Sequence, residues 1–88
     1  MIKIVSKDVC PYCDMAKGLI KSLGFEYEEI DVSNDAGKLQ EIVSISGMMT
    51  VPQIFAGDLK KENLLGGYTD IVKLNDEGKL LKILENNN

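Results

Sequence analysis

Two cysteines separated by two residues stand at Cys10-Pro11-Tyr12-Cys13, between a short apolar run and an amphipathic stretch. The apolar run, Ile2–Val5, is typical of a buried strand. Proline is favoured at the first position of a helix, so Pro11 marks a helix start. Apolar residues then recur at helical spacing, at Met15, Ala16, Leu19, Ile20 and Leu23. The cysteine pair is therefore predicted to lie where a strand gives way to a helix.

The next two elements have equally clear limits. Gly24 ends the first helix, and residues 25–32 alternate imperfectly between apolar and polar side chains, which predicts a strand. Ser33-Asn34-Asp35 offers the side chains that cap a helix. This second helix is predicted to end at Gly47 and to carry the apolar residues Leu39, Ile42 and Val43.

The second half of the chain predicts two strands and two helical segments. Val51–Phe55 is a strand opened by Pro52, and Ala56-Gly57-Asp58 has the composition of a turn. A short strand at Leu64-Leu65 is broken by Gly66-Gly67. A helix follows from about Thr69 to Leu74, and after Gly78 a last helical face carries Leu80, Leu81, Ile83 and Leu84.

The order βαβ-α-ββ-α predicts an α/β fold with a four-stranded mixed sheet flanked by helices. The first βαβ unit is expected to be parallel, and the later strands an antiparallel hairpin with a tight turn. A chain of 88 residues is expected to form one domain over residues 1–88. The terminal Asn86-Asn87-Asn88 is expected to fray.

Cys10 is the expected nucleophile of the pair. It stands just before the first helical turn, where unpaired main-chain N–H groups and the helix dipole favour a thiolate. Lys7 adds positive charge nearby, whereas the carboxylate of Asp14 opposes the thiolate. Cys13 lies one turn further along the same face, within reach of a disulfide. We therefore expect Cys10 to attack a substrate sulfur and Cys13 to resolve the mixed disulfide.

Composition excludes several other classes of site. The chain has two cysteines and no histidine, so it cannot supply the four ligands of a structural zinc site without a second copy. The missing histidine also excludes Cys–His and Ser–His hydrolases. Two inert buried cysteines remain the other alternative, which the helix-starting Pro11 disfavours. In a C-x-x-C pair beside a βαβ pattern, redox chemistry is the expected function.

Three blocks of the sequence fit one known pattern: residues 7–13, Thr50-Val51-Pro52-Gln53-Ile54-Phe55 and Gly66-Gly67-Tyr68-Thr69-Asp70. In their order and spacing they resemble the signatures of dithiol glutaredoxins, most closely a bacterial class, over essentially the whole chain. The resemblance implies a thioredoxin-like fold. It also implies a glutathione-dependent oxidoreductase that reduces protein–glutathione mixed disulfides and some protein disulfides.

The resemblance further implies how glutathione is held. It places a cis-proline at Pro52, which leaves the main chain of Val51 free to pair with the extended tripeptide. Lys7 would bind the glycine carboxylate, and Tyr12 would flank the thiol. The full set of implied contacts is Lys7, Tyr12, Thr50, Val51, Pro52, Gly67, Tyr68, Thr69 and Asp70.

At the third block, main-chain N–H groups of Thr69 and Asp70 would bind the γ-glutamyl carboxylate at a helix start. The Asp70 side chain would meet the γ-glutamyl ammonium. Without the resemblance, Asp70 is a first-turn acid favoured by the helix dipole, and Lys7 is an ordinary solvated lysine. Glutathione is then a co-substrate, and neither a tightly bound cofactor nor a metal is expected.

Two departures from the family pattern stand out. Related members often carry a basic residue just before the Thr50-Val51-Pro52 block, where this chain has Met48-Met49. A second positive contact to glutathione is therefore expected to be missing. The segment 58–63 is also longer than in the nearest relatives. Lys60 and Lys61 either supply charge near a partner surface or keep an edge strand soluble, and we favour the second interpretation.

The expected partners are glutathione and proteins that carry glutathionylated or disulfide-bonded cysteines. The net charge of −4 argues against nucleic acid, and no run is apolar enough for a membrane span. We expect a cytoplasmic monomer. One alternative is an electron donor for ribonucleotide reductase that thioredoxin reductase reduces, which the third block disfavours. Another is an iron–sulfur carrier bridged through Cys10, which the presence of Cys13 disfavours.

Overall fold

Four strands form one mixed sheet in the computed structural model, which describes residues 1–86. Their order across the sheet is β2-β1-β3-β4. β1 pairs in parallel with β2, and β3 is antiparallel to both β1 and β4. The predicted mixed four-stranded sheet is therefore confirmed, with strands at Ile2–Ser6 (β1), Tyr27–Asp31 (β2), Gln53–Ala56 (β3) and Leu64–Gly66 (β4).

Helices connect and cover these strands, at Pro11–Ser22 (α1), Ala36–Ser46 (α2), Tyr68–Asp76 (α3) and Leu80–Asn86 (α4). Within residues 1–86, none of the helices combines the length and the apolar character that a bilayer crossing requires. Of the terminal asparagines expected to fray, Asn86 closes α4, whereas Asn87 and Asn88 lie outside the described residues.

The caps of α2 show how local sequence limits an element. The Asp35 carboxylate accepts the main-chain N–H of Lys38 at 2.9 Å, which satisfies one free donor of the first turn. At the other end Gly47 has φ +75° and donates its N–H to the carbonyl of Val43 at 2.8 Å. A left-handed residue of this kind suits glycine, so the predicted end at Gly47 is confirmed.

Alternation along the strands divides the core between the two faces of the sheet. One face buries the side chains that pack beneath α1, α3 and α4: Ile2, Ile4, Ala16, Ile20, Ile54, Ala56, Ile71, Leu80 and Leu84. The other face buries a smaller cluster beneath α2: Val5, Val32, Ile42 and Phe55. Because successive strand residues point to opposite faces, two apolar layers need helices on both sides.

The connection between β3 and β4 differs from the expected tight turn. It spans residues 57–63 and includes a short 3-10 turn at Lys61–Asn63. The side chain of Asn63 donates to the Asp58 carbonyl at 3.0 Å, and the Lys60 N–H donates to the same carbonyl at 2.8 Å. These bonds close the segment on itself, so the strands still form an antiparallel pair but with a longer connection.

The register brings three chain segments to one end of the sheet. Val5, near the end of β1, pairs with Gln53, where β3 begins. Gly66, where β4 ends, pairs with Ile54. The segment leading to Cys10, the segment entering β3 and the segment leaving β4 therefore meet at this end. These are the three blocks singled out in the sequence.

Candidate active site

Cys10 is the N-cap of α1, and Pro11 occupies the first helical turn. The two cysteines form a disulfide with a Cα–Cα distance of 5.2 Å, and the Cys13 N–H donates to Cys10 Sγ at 3.2 Å. Cys13 is fully buried, whereas Cys10 is half-buried. An incoming sulfur can thus reach Cys10, while Cys13 can act from inside the protein. The predicted placement of the pair at the helix start is confirmed.

The segment before Cys10 is held by the loop that follows β2. The Asp8 N–H donates to Ser33 Oγ at 2.6 Å, and the Ser33 N–H donates to Asp31 Oδ1 at 2.8 Å. Hydrogen bonds from the side chain and the main chain of Ser33 lower the pKa of Asp31. Val9, next to the nucleophile, has φ +49° and a side chain that is 99% exposed. A β-branched residue rarely adopts this conformation, so the surrounding bonds must hold it there.

A charged cluster lies behind the cysteine pair and joins α1 to two strands. Lys17 Nζ is 3.8 Å from Asp14 Oδ1 and also pairs with Glu29 Oε2, which accepts the Ser6 hydroxyl at 2.6 Å. Hydrogen bonds from Lys17 and Ser6 lower the pKa of Glu29. The hydrogen bond with Glu29 raises the pKa of Lys17. Lys17 thereby faces the Asp14 charge that opposes a thiolate at Cys10.

The second block forms a loop held by a buried glutamine. The Val51–Pro52 peptide bond is cis, as the resemblance implied. Gln53 Nε2 donates to the carbonyls of Met48 and Thr50, at 2.9 Å and 3.1 Å. β3 pairs only from Gln53 onward, so Val51 lies before the strand ladder. The loop of residues 48–52 is therefore fixed by side-chain bonds rather than by the sheet.

The third block turns the end of β4 into α3. Gly66 has φ +115°, and Gly67 is the N-cap of α3. The Gly67 N–H donates to Asp70 Oδ2 at 2.8 Å. Glycine has no side chain to cap the helix, and the first N–H groups of an α-helix have no partner within it. The N–H groups of Tyr68, Thr69 and Asp70 lie at the start of α3. The helix dipole also favours a negative charge at this end.

The blocks enclose an open pocket with a volume of about 270 Å³. The rings of Tyr12 and Tyr68 are 5.9 Å apart between centroids and tilted by 38°, a favourable aromatic contact. Tyr12 follows Cys10 by two residues, so the first block contributes to the pocket through the residue between the two cysteines that precedes Cys13. Its lining residues are Tyr12, Met48, Thr50, Val51, Pro52, Gly67, Tyr68, Thr69 and Asp70.

Of the residues predicted to contact glutathione, only Lys7 is absent from this lining. Lys7 is exposed, and its role stays a prediction. Sequence reasoning missed Gln53 as the anchor of the loop, although a polar residue inside an apolar strand was a usable signal. It also interpreted Met48 only as the absence of a basic residue, whereas the structure places the Met48 side chain in the pocket wall.

A metal site finds no support in the described part of the chain. Among residues 1–86, no group of three or more histidine, cysteine, aspartate or glutamate side chains is arranged to hold a metal ion.

Comparison with known proteins identifies relatives over nearly the whole chain. The family model described as Glutaredoxin matches residues 2–59. Glutaredoxin 3 of Escherichia coli (strain K12) is 36% identical over 84 residues, which cover 96% of each protein. The solution structure of glutaredoxin from Brucella melitensis is 40% identical with a TM-score of 0.80, covering 94% of this chain and 86% of that one.

The structure of this chain is also similar to that of a glutaredoxin solved in complex with glutathione. The crystal structure of the buckwheat glutaredoxin–glutathione complex has a TM-score of 0.83 and 26% identity. The match covers 97% of this chain and 76% of the buckwheat chain. The shared architecture is the thioredoxin-like sheet with helices on both faces, which confirms the predicted fold class.

Proposed function

Since the chain belongs to the glutaredoxin family and is thus a thiol–disulfide oxidoreductase, we propose that glutathione is its reductant. Its substrates are protein–glutathione mixed disulfides and protein disulfides. Cys10 is the nucleophile, and Cys13 is the resolving thiol. The observation that carries the proposal is the pocket that joins Tyr12, two residues after Cys10, to the cis-proline loop and the start of α3.

The pocket offers a group for each part of the tripeptide. The main chain of Val51 lies outside the strand ladder and can pair with an extended peptide. The start of α3 suits the γ-glutamyl carboxylate. One oxygen of Asp70 accepts the Gly67 N–H, and the exposed carboxylate can also meet the γ-glutamyl ammonium. Lys7 is the proposed partner of the glycine carboxylate. The buckwheat complex supports glutathione as a ligand of this fold.

Removal of glutathione from a protein needs Cys10 alone. The Cys10 thiolate attacks the glutathione sulfur of the mixed disulfide, and the protein thiolate leaves. A second glutathione thiolate then attacks the same sulfur. This step releases oxidised glutathione and returns the electron pair of the broken bond to Cys10. The half-buried position of Cys10 permits both attacks.

Reduction of a protein disulfide needs both cysteines. Cys10 attacks one substrate sulfur and releases the other as a thiolate. Cys13 then attacks Cys10 Sγ, which releases the second substrate thiolate and forms the Cys10–Cys13 disulfide found here. Two glutathione molecules restore the dithiol and leave as oxidised glutathione. The N–H of Cys13, 3.2 Å from Cys10 Sγ, stabilises the charge at Cys10.

Turnover of a glutathionylated substrate tests the proposal. NADPH oxidation is followed through glutathione reductase, with glutathione and its mixed disulfide with 2-mercaptoethanol. We expect Cys10→Ser to abolish turnover and Cys13→Ser to retain it, because only Cys10 carries the glutathionyl group. A protein disulfide should be reduced catalytically only when both cysteines are present.

Two outcomes would contradict this assignment. If Cys13→Ser were as inactive as Cys10→Ser toward the small mixed disulfide, the single-cysteine route would be wrong. If glutathione gave no turnover but thioredoxin reductase did, the protein would be the electron donor that thioredoxin reductase reduces. The pocket would then have a ligand other than glutathione.

A further inference from the structure

The pocket beside Cys10 has an unfavourable charge for the proposed ligand. Glutathione carries two carboxylates and one ammonium, and is therefore a net anion. Among the residues that line the pocket, Asp70 is the one with an acidic side chain, and none is a lysine. The protein as a whole has a net charge of −4. The start of α3 can bind one carboxylate of the ligand, but no side chain in the lining supplies a cation for the other carboxylate.

Lys61 places an ammonium group at the Met48 side of the pocket. Its Nζ donates to the main-chain carbonyl of Ser46, the last residue of α2, at 2.8 Å. It also lies 3.7 Å from the position that a Cβ would take on Gly47. Gly47 is followed by Met48, which lines the pocket. The ammonium is therefore next to the chain segment that forms the pocket wall.

The side chain of Met48 extends from the segment after Gly47 toward Gly67. Its Cε is 3.8 Å from the position that a Cβ would take on Gly67, the N-cap of α3. A thioether adds bulk to the wall but no charge. A positive charge on this side of the pocket must then come from a neighbouring segment of the same chain, and Lys61 is the lysine bonded there.

The charge of Lys61 is held in place but not neutralised. The carbonyl end of α2 attracts a cation, which orders the flexible lysine side chain. Within residues 1–86, no carboxylate forms an ion pair with Lys61, in contrast to Lys17, which pairs with Glu29. Two of the three N–H bonds of the ammonium remain free for another acceptor. This differs from the expected role of a solubility charge on the edge strand.

Resting on the proposed use of glutathione, we propose that Lys61 is a second cation of the binding site and favours anionic ligands at the Met48 side of the pocket. The longer connection between β3 and β4 carries the lysine to this position. Lys61 acts on ligand affinity rather than on the sulfur chemistry, because its ammonium is bonded next to the segment that leads into the pocket wall at Met48. It is thus a specificity-determining residue for the anionic part of the substrate.

Turnover of the glutathione–2-mercaptoethanol mixed disulfide by charge variants of the full chain provides the test. We expect Lys61→Gln to raise KM about two- to fivefold, the size of an exposed ion pair, with kcat unchanged. Lys61→Arg keeps the charge and should keep the wild-type KM. Lys60→Gln is the matched control, because Lys60 is exposed and makes no ion pair within residues 1–86.

Two further measurements separate an electrostatic role from a structural one. The KM difference should disappear at about 1 M salt, where the screening length is about 3 Å. The double variant Lys61→Gln/Met48→Lys should regain a low KM, since it moves the charge into the pocket wall. A helix-capping role alone would lower the melting temperature of Lys61→Gln without this rescue.

The outcomes distinguish this inference from the function on which it rests. If wild-type protein turns over with glutathione but Lys61→Gln has the KM of Lys60→Gln, Lys61 is not a binding cation and only this inference fails. The same holds if a raised KM persists at high salt. If wild-type protein shows no turnover with glutathione, both the proposed function and the role of Lys61 are overturned.

Discussion

Gly66 lies where a side chain has no room. Its φ of +115° belongs to a region that L-residues rarely adopt. A Cβ at this position would be 2.7 Å from Cγ of Asp70. Asp70 is close because its carboxylate accepts the N–H of Gly67. The turn into α3 and the placement of the acid therefore depend on the same small residue.

Gly66→Ala should lower the free energy of unfolding by about 1–3 kcal/mol, because the new methyl group is strained and displaces Asp70. Urea denaturation measures this loss, and the KM for the mixed disulfide should rise as the start of α3 shifts. Gly18→Ala is the matched control. Gly18 is exposed within α1 with open space around it, and alanine there should stabilise by about 0.5–1 kcal/mol. Equal effects at the two positions would refute the packing argument.

At the scale of elements, β3 and the loop before it are joined by Gln53. Its side chain is fully buried on the face of the sheet that also buries Phe55. Nε2 bonds two loop carbonyls, while Oε1 is buried without a partner among residues 1–86. A buried polar atom without a hydrogen-bond partner lowers the free energy of unfolding. We interpret it as the cost of fixing the loop that forms the pocket wall.

Gln53→Leu removes both hydrogen bonds, which takes the Gln53 donor from the Thr50 carbonyl and leaves the Met48 carbonyl with the 3.5 Å bond from Ser46 Oγ. We expect a loss of about 1–3 kcal/mol in the free energy of unfolding, reduced by removal of the unpaired oxygen. KM should rise because the loop moves. Gln40→Leu, at an exposed position on α2, should change neither quantity appreciably. A stable variant with wild-type KM would show that the loop is held by other contacts.

For the molecule as a whole, the cluster of Lys17, Glu29 and Ser6 connects α1 to β1 and β2. Glu29 accepts hydrogen bonds from Lys17 and Ser6, so its charged form is favoured in the folded state and its pKa falls below the ordinary value of 4.5. Stability from a lowered carboxyl pKa is present above the ordinary value and is lost as pH falls through the folded value. The free energy of unfolding at acidic pH should therefore depend on this cluster.

Glu29→Gln should cost up to about 1 kcal/mol at pH 7, a value limited by the partial exposure of the carboxylate. The difference from wild type should shrink as pH is lowered below 4.5, the ordinary value for the group. Urea denaturation at a series of pH values measures it. Glu26→Gln is the control, because Glu26 is exposed and has no ion pair in the described range 1–86. A difference that is constant with pH would exclude the linkage.

Several positions mark the limit of sequence reasoning. The helix start at Pro11 and the helix end at Gly47 were predicted correctly, because caps depend on neighbours in the chain. The left-handed Val9 was not predicted, since valine disfavours that conformation and bonds made by Asp8 and Ser33 impose it. The role of Lys61 also depends on a contact across the fold, with Ser46.

The sequence by itself determined the order of the elements, the strand-to-helix position of the cysteine pair and the family. These depend on periodicity, caps and motifs, which act over a few residues. Only the tertiary structure decided that Gln53 fixes the pocket wall and that Lys61 bonds the carbonyl of Ser46 beside it, and it placed in one pocket the three blocks that the resemblance assigns to glutathione. The physical reason is that strand register sets these distances. Register is set by the apolar patterns of both paired strands and by the connections between them, so it depends on segments that are far apart in the sequence.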